Sequence, residues 1–508
     1  LLYKKKVYII TIHNNYSDKM NIKIQNTEDK VGLALFTLGI IFLLYTSYIG
    51  LFKLGVWIDE IYTLVLTTLP FDESFFIILN DVHPFLYYLI LRIFYNIFLL
   101  FGFDNITVIG KFVSLIPFYL LGILCITKIK NNFGLLTAGL FFLCLCSMPR
   151  LMIYAIEVRM YSWALFFVTA SLIYAYEIVK NPSSKNWLIF TVLTILSCYT
   201  HYFASISSFA IYIVFLAYIL RKNKSLLKNW IISSCIVILS YIPWIFTVIF
   251  QISIYEKDFW IAPITKRTVF SYIYFVLSPA NDLVRGNELV TPTIIGTLCL
   301  FAFIFLIYKY HDEFTLDTLF VFVIVPIIGI IISLTLRPFF HPRYFIPVLG
   351  CLWMAFSILL SKSFSDKRIF IPILCMILFI GVVGAVDFNN LHEIDVESTE
   401  VESNYLINNI GSGNIVISND ENVNIFPLRY YIPNNQFIAL NSNNTSIESS
   451  INQSHIIDRI NKGSSVYYLD SSQDKIQSIS NEGYQLEEIP INTNTFEYRI
   501  YKIINPMK

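Results

Sequence analysis

The sequence predicts an all-α polytopic membrane protein of about 11–13 transmembrane helices, followed by a small C-terminal α/β domain outside the bilayer. Three observations predict it. Of 508 residues, 56% are hydrophobic and 14% charged, with a mean hydropathy of +0.63, too apolar for a water-soluble globule of this size. Long apolar stretches, many approaching the roughly 20 residues that a spanning helix needs, recur from Val31 to Asp387. Beyond Phe388 the pattern changes to short β-like runs, and 15 Asp and Glu stand against 7 Lys and Arg, a net of −8.

Residues 1–30 are polar and basic and lead into a full-length span, not a short signal core with a small-residue cleavage site. They read as a cytoplasmic tail before a retained helix. The transmembrane region, 31–387, carries candidate spans at 31–51, 83–101, 107–127, 133–149, 160–179, 187–200, 203–220, 229–250, 291–310, 316–336, 344–360 and 369–387. The stretch 269–278 reads as a partial span or an interfacial helix. Two interfacial loops interrupt the series, 52–82 and 251–290. In the first, Trp57 to Asp81 carries Asp59, Glu60, Asp72, Glu73 and Asp81 and is broken by Pro70; it is too charged to span and predicts short helices lying in the interface. In the second, Trp260 and Pro263 suit the headgroup level. All eight cysteines fall between Cys125 and Cys375, in or beside apolar runs, and read as buried small hydrophobes.

Orientation follows from the basic loops, because Lys and Arg concentrate on the cytoplasmic side. Lys128, Lys130, Lys180, Lys185, Arg221, Lys222, Lys224, Lys228, Lys309, Lys362, Lys367 and Arg368 mark that side and put Glu157, Arg159, His201, Arg343 and the tail outside. One conflict arises. A cytoplasmic N-terminus places Asp59 and His83 outside, and two full crossings after them would place Lys128 outside too. Either one element within 83–127 does not cross, or one loop is misassigned. The remaining 388–508 read as a soluble extracytoplasmic α/β domain, with strand-like runs at 414–418, 436–440, 465–469, 486–489 and 496–503 and an Asn- and Ser-rich loop near 441–454. The expected location is the cell membrane. Scattered basic loops exclude a nucleic-acid partner.

Chemistry-bearing residues cluster at the edges of the spans on the outer side. Trp57-Ile58-Asp59-Glu60 follows the first helix, where adjacent carboxylates at an interface can divide the tasks of base and orienter; a solvated acidic turn is the ordinary reading of such a pair. His83-Pro84-Phe85-Leu86-Tyr87-Tyr88 opens a helix with Pro in its first turn, a place that attracts anions. Glu157-Val158-Arg159-Met160-Tyr161 opens another, and taken alone would be an orientation anchor. Thr200-His201-Tyr202-Phe203, Tyr241-Ile242-Pro243-Trp244 and His341-Pro342-Arg343-Tyr344 complete the set, with Arg suited to a phosphate through its planar fork of donors.

In this order the clusters resemble the glycosyltransferase-C superfamily, and within it the dolichyl-phosphate-mannose protein mannosyltransferase-like branch that includes aminoarabinose transferases. The resemblance covers roughly residues 31–350 and lies in the order of motifs, since any one tetrapeptide would match by chance. It implies a membrane enzyme that moves a sugar from a polyprenyl-phosphate carrier to a glycan, lipid or protein acceptor on the outer face. It also implies that Asp59 is the catalytic carboxylate with Glu60 beside it, and that His83, Arg159 and Arg343 lie near the donor phosphate. Glu157, Tyr161, His201 and Tyr344 would belong to the same substrate site. The chain departs from aminoarabinose-type relatives at His83, where they carry Lys.

A carboxylate within reach of an acceptor hydroxyl can take its proton as it attacks the anomeric carbon, inverting that centre, while cations stabilise the departing lipid phosphate. No nucleotide fingerprint is present. No cofactor is assigned; a divalent metal is compatible with paired acids, but no D-x-D stands in the first loop to name its ligands. The rival from another class is a lipid or polysaccharide transporter, which would place ionisable groups at mid-membrane; here only Arg92 and Lys111 stand out within spans. A polymer ligase or oligosaccharide transferase of the same architecture is the nearer alternative.

Overall fold

The computed structural model describes residues 26–254, 261–265, 268, 272, 275–276, 290–336, 338–418, 425–440, 447–470, 473–490 and 499–506. Most of the basic tail, Trp260, most of the 269–278 stretch and the Asn-rich 441–446 lie outside them. Among the described residues eight helices are long and apolar enough to cross a membrane, a bent pair can supply a ninth, and three shorter apolar helices accompany them. The chain is a multi-pass membrane protein.

The helices, in chain order, are α1 (Thr27–Phe52), α2 (Ile58–Thr68), α3 (Phe71–Leu79), α4 (Leu86–Leu100), α5 (Ile106–Leu124), α6 (Lys130–Phe133), α7 (Leu135–Ser147), α8 (Pro149–Ile156), α9 (Tyr161–Lys180), α10 (Ser184–Cys198), α11 (Tyr202–Lys222), α12 (Leu227–Ile254), α13 (Val290–Tyr310), α14 (Glu313–Thr335), α15 (Leu349–Lys362) and α16 (Lys367–Asn409). Their burial follows their place in the bundle. In α15 and the turn before it, 94% of the apolar window is enclosed by other helices, against 11% in α12, whose Ile231, Leu239 and Phe246 face outward. Only lipid makes such a surface stable. Close approach shapes the centre: a Cβ on Gly139 of α7 would stand 2.1 Å from the Gly32 carbonyl oxygen of α1, so that contact requires glycine.

Three local departures from the expected spans position the site. The run predicted as 133–149 ends at Ser147, and α8 leaves α7 at 70°, with Pro149 starting the new helix where its missing N–H costs nothing. Helix α4 does not run alongside α5. Near its start Tyr87 bonds Ser114 (2.8 Å), and near its end Phe98 meets Phe112 edge to face (5.8 Å), so both ends meet α5 within two residues and α4 lies across it. Finally, the helix whose apolar part stops at Asp387 continues without a break to Asn409.

As the polar loop predicted, short helices α2 and α3 flank Pro70. The motif Tyr241-Ile242-Pro243-Trp244, expected at a span edge, instead sits inside α12. Pro84 precedes α4 rather than occupying its first turn, and the Leu86 N–H is taken by the Tyr199 carbonyl (3.1 Å).

The C-terminal part is a five-stranded sheet of order β2-β1-β3-β5-β4, formed by β1 (Ile415–Ser418), β2 (Gln436–Ala439), β3 (Val466–Asp470), β4 (Leu486–Ile489) and β5 (Arg499–Ile503). Strand β1 pairs in parallel with β2 and β3, and β5 runs antiparallel to β3 and β4. The loop expected near 441–454 holds helical turns from Ile447 to Ile451 and from Ser454. The helix Ile425–Tyr431 docks this domain on the membrane part: Phe426 packs on Tyr62, Tyr430 bonds Thr107 (2.8 Å), and Arg429 pairs with Glu73 (3.1 Å).

Candidate active site

The site begins where α1 gives way to α2. Gly55 lies so close to α16 that a Cβ there would stand 2.6 Å from the Val396 nitrogen. Trp57 is extended and accepts from the Glu60 N–H (2.9 Å), while the Glu60 carboxylate reaches back to the Trp57 N–H (3.3 Å), a reciprocal cap that fixes the start of α2. Consecutive helical residues point about 100° apart, so the two adjacent acids face different surroundings. Asp59 is partly exposed and pairs with Arg343 (3.2 Å). Glu60 turns inward, bonded to Lys111 (2.6 Å) and to the Val158 N–H (2.7 Å), with both charged side chains almost wholly buried.

The remaining predicted residues close around this pair. Arg159, in the turn between α8 and α9, donates to the Asp59 carbonyl (3.3 Å) and the Thr63 hydroxyl (3.1 Å). The Arg343 guanidinium lies over the Trp57 ring (5.3 Å) and the Tyr344 ring (5.9 Å). His83 stacks on His201 (5.8 Å), and His201 touches Tyr161 (5.5 Å) and Tyr344 (5.6 Å). His201 caps α11 by accepting the Phe203 N–H at Nδ1 (3.1 Å), which leaves the proton on Nε2. Eight of the nine predicted residues thus belong to one contiguous cluster, and the ninth, Glu157, lines a cavity together with Glu60.

Electrostatics follow from burial among cations. Burial, helped by Arg159, lowers His83 well below the usual histidine range, and the same causes with Arg343 lower His201 to about 3. Both rings are neutral at neutral pH: each can donate a hydrogen bond, while Arg159 and Arg343 carry the positive charge. Burial, with Glu60 second, pushes the Glu157 carboxyl up to about 8, and its Oε1 has no hydrogen-bond partner among the described residues. Among the described residues no group of three or more His, Cys, Asp or Glu is arranged to hold a metal ion.

Two cavities are lined by neighbours of the Asp59–Arg343 pair, Tyr344 in one and Trp57 and Glu60 in the other. One, of about 300 Å³, is lined by His83, His201, Tyr344 and Gln251 and by apolar side chains of α11, α12 and α14, including Ile206, Val248 and Ile332. The other, of about 350 Å³, is lined by Trp57, Glu60, Lys111, Glu157, His392 and Asp395 under the far part of α16. Lys111 and Asp395 were not among the expected site residues; the available signal was that a lysine inside a span needs a partner.

No protein-family model matches the chain, and no curated protein matches it by sequence. Solved structures do match it in three dimensions. ArnT from Cupriavidus metallidurans in the apo state superposes with a TM-score of 0.59 at 10% identity, over 92% of this chain and 98% of that one. The fold is ArnT-like. The same ArnT bound to undecaprenyl phosphate gives 0.56 at 11% identity, over 92% and 97%. The ArnT-like fold spans the bundle and the C-terminal sheet alike, given that coverage. Archaeal oligosaccharyltransferase AglB from Archaeoglobus fulgidus aligns at a TM-score of 0.46 and 11% identity, over 92% of this chain and 74% of that one.

Proposed function

We propose that the protein is a glycosyltransferase that moves a sugar from a polyprenyl-phosphate donor to a glycan, lipid or protein acceptor. The observation that carries this reading is the setting of Asp59: its carboxylate is held by Arg343 at 3.2 Å, Tyr344 beside that arginine lines an apolar cavity with His83 and His201, and Glu60 beside Asp59 lines a second cavity with Lys111, Glu157 and Asp395. An ArnT-like fold, and an ArnT structure that holds undecaprenyl phosphate, support it.

The donor enters the cavity of His83, His201 and Tyr344, its prenyl chain against Ile206, Val248 and Ile332 and its phosphate toward Arg343 and Arg159. The acceptor hydroxyl attacks the anomeric carbon from the opposite side. Asp59 takes its proton, the bond from that carbon to the phosphate oxygen breaks, and the electron pair leaves with the lipid phosphate, whose charge the guanidiniums stabilise. Glu60 acts on Asp59 indirectly, because its pairing with Lys111 fixes the first turn of α2. The basic residues Lys128, Arg221, Lys222, Lys309 and Lys362 gather at the other end of the bundle, in ion pairs with Glu177, Glu313, Asp366 and Asp312. This supports a cytoplasmic placement of that end and an outer placement of the site, the sheet domain and 388–508 as a whole. Charges that pair locally at the site, with Arg92 satisfied by the Leu66 carbonyl (2.7 Å) and Ser74 (2.8 Å), do not favour a central ion pathway.

The test is a transfer assay in liposomes with a panel of polyprenyl-phosphate and polyprenyl-diphosphate sugars, read by mass spectrometry of the acceptor. Asp59→Asn is expected to reduce transfer by about 10²–10⁴-fold with folding retained. Full activity in that variant would end the assignment of Asp59.

A further inference from the structure

The cavity under α16 has a chemistry of its own. We propose that it is the acceptor site, and that its walls select a hydroxyl- or amine-bearing sugar and reject a phosphorylated one. This rests on the transferase reading above.

Three observations carry it. Glu157 lines the cavity, is 5% exposed, and leaves Oε1 without a partner among the described residues. An unsatisfied buried oxygen of this kind is destabilising, and an occupant with hydroxyl or amine groups removes that cost. Charge comes next. Glu60, Glu157 and Asp395 share the wall with Lys111, whose ammonium is committed to Glu60 at 2.6 Å, and with His392, whose Nε2 faces the Lys53 carbonyl at 2.5 Å. A phosphate placed there would meet the Asp395 carboxylate while the lining cation is already neutralised by Glu60. Lastly, the Trp57 indole, two residues before Asp59, gives the cavity a flat apolar wall on which a sugar ring can lie with a hydroxyl toward the base. That hydroxyl then loses its proton to Asp59 as its oxygen bonds the anomeric carbon. The protonated Glu157 carboxyl donates to a second sugar oxygen.

The experiment uses the full-length protein in lipid nanodiscs, with mannotriose, glucosamine trisaccharide and mannose 6-phosphate as probes and binding read by saturation-transfer NMR. At least one trisaccharide is expected to bind about tenfold more tightly than the phosphorylated sugar, and Glu157→Ala to weaken it by about tenfold, the loss of one hydrogen bond. Asp395→Lys, at the partly exposed wall, is expected to reverse the ranking, and it keeps the test valid should Glu157→Ala fold poorly. Equal or tighter binding of mannose 6-phosphate, no binding of any probe, or binding indifferent to both variants would overturn the inference. Undecaprenyl phosphate binding, measured on the same wild-type nanodiscs, separates the two levels. Lipid binding without sugar selectivity sinks the acceptor inference alone, whereas loss of lipid binding sinks the transferase reading with it.

Discussion

The two ends of the helical bundle handle charge in opposite ways. At the end with the basic loops, Arg221 meets Glu313 (3.6 Å) and Asp317 (3.9 Å), and Lys309 meets Asp366 (3.2 Å), all with substantially exposed side chains. At the site end, Glu60 and Lys111 are sealed from solvent at 2–3% exposure, and Arg343 reaches Asp59 from a largely buried position. Exposed pairs contribute about 0–1 kcal/mol, whereas buried ones are expensive to assemble and more expensive to break. The first end keeps its charges at the surface; the second tolerates the cost of burying them to fix the start of α2.

The sharpest way to break this contrast is Lys111→Met. It strands Glu60 in the bundle and is expected to cost about 3–5 kcal/mol, read as a fall in Tm by thermal unfolding in detergent, with most of the loss recovered in the Glu60→Gln/Lys111→Met double variant. A double variant as unstable as the single one would show that packing, not charge, is at stake. Next comes Arg343→Ala, expected to weaken polyprenyl-phosphate binding by about 1.5–3 kcal/mol, measured by titration into liposome-reconstituted protein; unchanged affinity would remove Arg343 from the phosphate site.

A smaller effect concerns pH. Because the folded-state Glu157 carboxyl is pushed up to about 8 from an ordinary value of 4.5, the folded chain holds a proton there that the unfolded chain has released. Its contribution to stability therefore falls as pH rises from the ordinary carboxylate range to about 8. Glu157→Gln is expected to flatten that part of the Tm profile; an unaltered slope would mean that another group titrates. The smallest effect belongs to the exposed end, where Arg221→Ala is expected to change stability by less than about 1 kcal/mol. A larger loss would erase the difference between the ends.

Hydropathy located the spans because each apolar run is a local signal, and the edge motifs pointed to residues that come together because each of them, Tyr241 to Trp244 apart, falls at the start of a helix. What stayed hidden depends on direction and on partners distant in sequence. Hydropathy gives the length of α4 but not its path across α5. The Glu60–Lys111 pair joins residues 51 positions apart, so neither local pattern announces the other. At Asp387 the apolar character ends but helix-forming residues continue, and nothing in a hydropathy scan marks that the backbone stays helical to Asn409.

That unbroken helix has a mechanical meaning. At 43 residues it extends about 65 Å, roughly twice the hydrocarbon thickness of a bilayer. It is lashed to the segment before α2 by Lys53 with Glu393 (2.9 Å) and by Thr399 with both the N–H (3.1 Å) and the carbonyl (3.2 Å) of Val56. A rigid lever therefore connects the sheet domain to the stretch that carries Asp59. Whatever grips that domain, an antibody or a polymer under tension, pulls directly on the backbone three residues from Asp59.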